Sequence, residues 1–100
     1  MRSVSETRAY KKDYQREERG QYRFVIRDEL SSVIEMLAAD LTLPAKYRDH
    51  MLTGEWAGHM ECHIRPDLLL IYMKIGGEKP ENNSGELRLV RLGSHSELLG

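Results

Sequence analysis

All four histidines of this 100-residue chain lie from its midpoint onward, at His50, His59, His63 and His95, and Asp67 follows His63 by four positions. Histidine is the side chain whose ordinary pKa lies closest to neutrality, so a group of them suits proton transfer on both sides of one bond. Breaking an RNA chain needs that arrangement. A base takes the proton of a 2′-hydroxyl, the 2′-oxygen attacks the neighbouring phosphorus, and an acid protonates the departing 5′-oxygen. The extra negative charge of the transition state can be met by a fixed Arg or Lys. Read singly, each residue also has an ordinary use. His50 suits a solvated linker, Asp67 after Pro66 is what a type I turn favours, and His63 suits a polar strand face.

His59, Glu61 and His63 alternate along what reads as one strand face, which raises the question of a metal. Residues four apart in a strand stand about 13 Å from each other, too far to share an ion with bonds near about 2 Å. No metal ligands and no cofactor are expected.

The elements that must position these residues follow from periodicity. Arg8 to Glu18 favours helix, with Tyr10 and Tyr14 on one face, after a short strand near Ser3 to Thr7. Ile26, Leu30, Val33, Ile34, Leu37 and Leu41 recur at the three- and four-residue spacing of a second, amphipathic helix. Pro44 closes that region, and Ala45 to Gly54 reads as a polar linker holding His50. From Trp56, read as a core anchor, the period becomes two. Met60, Cys62 and Ile64 alternate with His59, Glu61, His63 and Arg65, as in a half-buried strand. Pro66 and Asp67 make a turn, the apolar run Leu68 to Met73 is a central strand, Gly76 to Gly85 is a surface loop, and Glu86 to Leu92 is a third strand. Gly93 ends it, and Ser94 caps a terminal helical turn. The order predicts a single α+β domain over residues 1–100, an antiparallel sheet with two N-terminal helices on one face.

Composition narrows the setting. With 40% hydrophobic residues the chain is long enough for one core, and no run of about 18 apolar residues offers a membrane span or a secretory signal. Cys62 is the only cysteine, so no internal disulfide or cysteine-zinc cluster can form, and the cytoplasm is the expected compartment. The formal net charge is -1, unusual for an RNA-handling protein, although Arg8 to Arg27 is locally basic. Within it Lys12, Arg16, Arg19 and Arg23 recur at helical spacing, either a solvated face or a docking stripe.

LPAKYRDHMLTGEWAGHMECHIRPDLLLIY (Leu43 to Tyr72) and LRLVRLGSHSELLG (Leu87 to Gly100) contain four ordered elements: Tyr-x-Asp-His, Leu-x-Gly-x-Trp, His-x-x-Pro-Asp and Arg-x-Gly-Ser-His-x-x-Leu. They resemble the YafQ group of RelE-type toxins, and TRAYKKDYQRE resembles that family's basic first helix. The resemblance implies the RelE-like microbial RNase fold and a ribosome-dependent mRNA interferase of a type II toxin–antitoxin system. Such a toxin cleaves messenger RNA in the ribosomal A site by metal-independent acid–base chemistry. It implies catalytic roles for the positions matching His50, His63, Asp67 and His95: His95 as general acid, His50 or Asp67 as base, and His63 orienting substrate or stabilising charge. It implies phosphate contact at Arg91. At Leu99 the family often carries an aromatic that stacks on a base, so nucleotide contact there is altered. The implied partner is a RelB/DinJ-like ribbon-helix-helix antitoxin, with Lys12, Arg16, Arg19 and Arg23 as its contact or the ribosome's. Two other functions fit the fold: a ParE-like inhibitor of gyrase, which lacks this histidine set, and an inactive relic that only binds antitoxin as a corepressor.

Overall fold

The computed structural model describes residues 1–77 and 85–100; most of the glycine-rich loop expected at Gly76 to Gly85 lies outside the described residues. Strand β1 (Ser3–Glu6) leads into helix α1 (Arg8–Glu18), whose N-cap Thr7 accepts from the Tyr10 amide through its hydroxyl. A second helical run follows: α2 (Arg23–Val25), a π-helical stretch Ile26–Leu30, and α3 (Ser31–Ala38). It buries Ile26, Leu30, Val33 and Leu37 as their spacing predicts. The run stops at Ala38, and Asp40 turns into the left-handed region (φ 58°), so Leu41 is exposed rather than part of the apolar stripe.

The segment expected as a polar linker is more ordered than that. It holds a 3₁₀ turn (Ala45–Tyr47) and a two-residue strand β2 (His50–Met51), and a second 3₁₀ turn (Gly54–Trp56) precedes strand β3 (Met60–Arg65). Strands β4 (Leu68–Ile75) and β5 (Glu86–Gly93) and the short helix α4 (His95–Leu98) complete the chain. The sheet order is β1-β5-β4-β3-β2. It is antiparallel except at one edge, where β1 lies parallel to β5.

The two faces of the sheet differ. Cys62, Ile64, Leu68, Leu70, Tyr72, Leu87, Leu89 and Leu92 pack under the helices with Tyr10, Ile26, Leu30 and Leu37, forming the main core. Among the described residues the only α-helix on the opposite face is the short α4. There Leu69 and Ile71 pack with Leu98 at the chain end, flanked by Leu52, Trp56, Val90 and Leu99. Trp56 therefore anchors this small outer cluster, not the main core. Among the described residues no helix is long and apolar enough to cross a membrane.

Helix α1 also finishes the edge that β1 leaves open. Strand β1 pairs with β5 only as far as Leu89. Beyond it, Thr7 Oγ1 donates to the Val90 carbonyl, the Leu92 amide donates to Asp13, and Arg16 donates to the Leu92 carbonyl. Side chains thus take the place of a missing strand on groups that would otherwise offer an unpaired edge.

Candidate active site

Sheet register assembles the site on the face away from the helices. Position His50 pairs with Glu61, Glu61 with Ile71, and Ile71 with Arg91, so one row crosses β2, β3, β4 and β5. The next row runs His63, Leu69, Gly93. Neighbouring strands lie about 4.8 Å apart, so Glu61 and Arg91 stand about 10 Å from each other across the sheet, as do His63 and Gly93.

The histidines that meet are His50 and His63, and they meet at Glu61. His50 Nε2 lies 3.3 Å and His63 Nε2 3.2 Å from the same oxygen, Glu61 Oε1. The rings stand 5.9 Å apart, centre to centre. Their other nitrogens are tethered: His50 Nδ1 sits 2.6 Å from the Arg48 carbonyl and His63 Nδ1 3.4 Å from the Pro66 carbonyl. With Nδ1–H donating to backbone, Nε2 of each ring is the atom presented to the cluster. Glu61 is 4% exposed and its second oxygen, Oε2, has no hydrogen-bond partner. A buried carboxylate oxygen left unsatisfied is uncommon and marks a place where a ligand or proton can be received.

Glu61 is the residue that sequence reasoning passed over. Strand period two already put it on the face of His63. The partner across the sheet was hidden, because a strand of two residues carries no periodicity. His59, considered beside Glu61 and His63, lies outside β3; its Nδ1 sits 3.2 Å from the Trp56 carbonyl and its ring stands edge-on to Trp56. The rejected pair His59 and His63 is thus replaced by a real group, since ligand atoms of His50, Glu61 and His63 all lie within 4.8 Å of one another. Two imidazole nitrogens and a carboxylate are a donor set that a transition metal accepts.

Asp67 and His95 form the second half of the site. Asp67 Oδ1 accepts from the His95 amide at 3.1 Å, tying the β3–β4 turn to the start of α4. Ser94 and Glu97 form a reciprocal capping box around that start, and Glu97 pairs with Arg16 of α1 at 3.2 Å. The exposed His95 side chain therefore projects from a backbone held on three sides. Gly93 permits this. A Cβ there would stand 2.6 Å from Arg16 Nη2 and 3.0 Å from Glu97 Oε1.

The basic residues are less available than their spacing suggested. Arg91 makes a two-pronged pair with Asp13, from Nε at 2.7 Å and Nη2 at 3.1 Å. Arg16 is bound to Asp13, Glu17 and Glu97. Helix α1 ends at Glu18, so Lys12, Arg16, Arg19 and Arg23 do not share one helix, and Arg16, though exposed, is engaged by three carboxylates of the fold. Leu99 packs on the Leu69 and Ile71 cluster.

The helix-backed five-stranded sheet is the fold of the RelE-like bacterial toxins. Solved structures bear this out. The crystal structure of the E. coli DinJ–YafQ complex matches with TM-score 0.77 and 31% identity, covering 100% of both chains. The metal-bound toxin from Helicobacter pylori matches with TM-score 0.73 and 36% identity over 99% of this chain and 100% of that one. The family model for YafQ, the bacterial toxin of type II toxin–antitoxin systems, matches residues 2–100, and the chain belongs to that family. The YafQ toxin of Haemophilus influenzae is 41% identical over 66 residues, 66% of this chain and 61% of that protein. The mRNA interferase toxin YafQ of Escherichia coli K12 is 40% identical over 60 residues, 60% of this chain and 56% of that one. The aligned stretch thus spans less than two thirds of either relative's own length.

Proposed function

We propose that this toxin is a ribosome-dependent endoribonuclease that cuts messenger RNA in the A site by metal-independent attack of the 2′-hydroxyl, acting in the cytoplasm. The observation that carries the reading is the His50–Glu61–His63 cluster on the bare sheet face, one row from the strand end that leads to His95. His50 is the better base of the two considered, because Asp67 is engaged with the His95 amide while His50 Nε2 faces the cluster. It takes the 2′-hydroxyl proton; the 2′-oxygen attacks phosphorus; His95 protonates the leaving 5′-oxygen, leaving a cyclic 2′,3′-phosphate. A protonated ring at His50 or His63 donates to Glu61, which holds it in place. His63 and the free N–H groups of Arg91 meet the charge on the phosphoryl oxygens.

A second reading rests on the same donors. His50, Glu61 and His63 would hold a divalent ion, with Glu61 Oε2 as its open acceptor, and such an ion polarises phosphoryl oxygens. The solved Helicobacter pylori toxin described as metal-bound favours keeping it in view. By analogy with the DinJ–YafQ complex, the partner is a DinJ-like ribbon-helix-helix antitoxin that silences the toxin until it is removed.

The test is single-turnover cleavage of ribosome-bound messenger. Replacing His95 by Ala lowers the rate by roughly 10² to 10⁴ with folding and antitoxin binding retained; replacing His59, outside the cluster, changes it little. Equal activity of His95→Ala and wild type refutes the assignment, and equal damage at His59 moves the site elsewhere. Activity lost to chelation of the toxin alone and restored only by added zinc or manganese replaces the acid–base reading with the metal one.

A further inference from the structure

A cleft of about 300 Å³ opens beside His63, between the π-helical stretch and the end of β3, lined among others by Glu29, Lys46, Arg48, Arg65 and Pro66. Its charge is one-sided. Three cations face one carboxylate, in a chain whose formal net charge is -1.

Glu29 accounts for two of those cations. Tyr47 donates to Glu29 Oε2 at 2.9 Å, Lys46 Nζ lies 3.8 Å from that oxygen, and Arg65 Nε lies 3.1 Å from Oε1 without the alignment of a hydrogen bond. Arg48 is different. It lines the cleft, is exposed, and makes no ion pair among the described residues. Its backbone is left-handed, φ 48° and ψ 47°, a conformation that a residue with a Cβ adopts at a cost and that concentrates at functional sites. The same turn gives the Arg48 carbonyl to His50 Nδ1, so one strained residue both contacts the cluster and lines the adjoining cleft.

We propose that this cleft is the subsite for the RNA nucleotide adjoining the scissile bond, and that Arg48 binds that nucleotide's phosphate. The inference rests on the ribonuclease reading above and names where its substrate is gripped. A guanidinium suits a phosphodiester because its fork of N–H donors matches two phosphate oxygens. Glu29 keeps Lys46 and Arg65 at the cleft walls, where their charge still attracts the polyanion. A local patch of this kind lets a protein with almost no net charge hold RNA, since attraction falls off within about 10 Å at ordinary salt. His63 lies in the shared wall, so a chain seated in the cleft passes directly to the cluster.

The experiment compares wild type, Arg48→Gly and Arg48→Lys, with His95→Ala as the reference for lost chemistry. Glycine removes the guanidinium and accepts the left-handed backbone without strain. Single-turnover cleavage of ribosome-bound messenger is measured against toxin concentration at several salt concentrations. A single-stranded RNA oligonucleotide with a 2′-deoxy residue at the cut position serves as binding probe. Arg48→Gly is expected to raise the half-saturating concentration about tenfold, to act on it far more than on the limiting rate, and to lower the salt slope by about 0.7, one single-strand phosphate contact. Lysine restores part of both. Unchanged half-saturation and salt slope in Arg48→Gly, with His95→Ala inactive, overturns the subsite and leaves the ribonuclease reading standing. A fall confined to the limiting rate means that Arg48 acts only through His50 and also overturns it. Weakened antitoxin binding with RNA dependence intact assigns the cleft to an acidic partner segment instead. Wild-type protein that neither cuts nor binds RNA removes the reading and the subsite together.

Discussion

Replacing Asp13 by Ala should destabilise the protein severely, and the size can be worked from its contacts. Asp13 is 3% exposed and accepts from Arg91 Nε (2.7 Å), Arg91 Nη2 (3.1 Å), Arg16 Nη1 (3.0 Å) and the Leu92 amide (3.0 Å). Hydrogen bonds to charged groups contribute about 1.5–3 kcal/mol each in good surroundings. The side chains of Arg91 and Arg16 are 28% and 40% exposed, so water recovers much of what they lose. The Leu92 amide is buried and loses about 1–3 kcal/mol. A total of about 3–4 kcal/mol follows, or roughly 12–30 °C in Tm for a domain of this size. The effect carries a pH signature. Burial pushes the Asp13 carboxyl up, but hydrogen bonds from Arg91 and Leu92 and the charges of Arg91 and Arg16 outweigh it, holding the group below the usual carboxylate range. A carboxyl lowered in the folded state stabilises fully above its unfolded pKa, about 3.9, and that contribution is lost as pH falls through the lower folded value. Thermal and urea melts at pH 7, 5 and 3 should show a gap between wild type and Asp13→Ala that holds from 7 to 5 and narrows at 3. Melting within a few degrees of wild type at pH 7 would refute the account of the β5 edge, and a gap unchanged at pH 3 would refute its electrostatic part.

Two further outcomes are expected. Glu61→Gln keeps the shape of the cluster and removes its charge, so cleavage should fall by about tenfold or more with little change in melting; activity equal to wild type would make Glu61 a packing residue only. Reversing Arg19 and Arg23 to Glu should weaken the antitoxin complex and flatten its salt dependence, because these two basic residues are exposed and lie outside the Arg16 network; an unchanged affinity and salt slope would mark them as solvated.

How much of this was legible in the chain depends on how many residues carried each signal. Ile26, Leu30, Val33 and Leu37 repeat often enough to announce a buried helix face, and they are buried. The alternation around Cys62 and Ile64 placed His63 on the opposite face, and the capping pattern at Ser94 found α4. Strand β2 could not be read, because two residues make no pattern and its pairing is supplied from β3. The group at Glu61 went unseen for that reason, with one ligand coming from beyond the segment under view. The fate of Arg91 was equally hidden, since the carboxylate that claims it, Asp13, lies 78 residues away in the chain, although the same Asp13 stands only three residues before Arg16.

The placing of Arg91 turns on one irregularity. In β5 Leu87 and Leu89 point under the helices, and strict alternation would send position 91 after them, burying a guanidinium in the core. The register shifts instead: Tyr72 pairs with Leu89 and Ile71 with Arg91, so Val90 is the extra residue of a bulge. Leu92 then takes the core position, three residues after Leu89, while Arg91 and Gly93 come to the bare face in line with Glu61 and His63. The spacing Leu87, Leu89, Leu92 is the mark this leaves in the sequence, two and then three. A second shift lies in β3 between His63 and Arg65, directly before the Pro66–Asp67 turn. The bulges thus re-aim two basic side chains, Arg91 toward the row of Glu61 on the bare face and Arg65 toward Glu29 on the helix side of the sheet. Core burial and site chemistry make opposite demands on consecutive residues of one strand, and an inserted residue lets both be met.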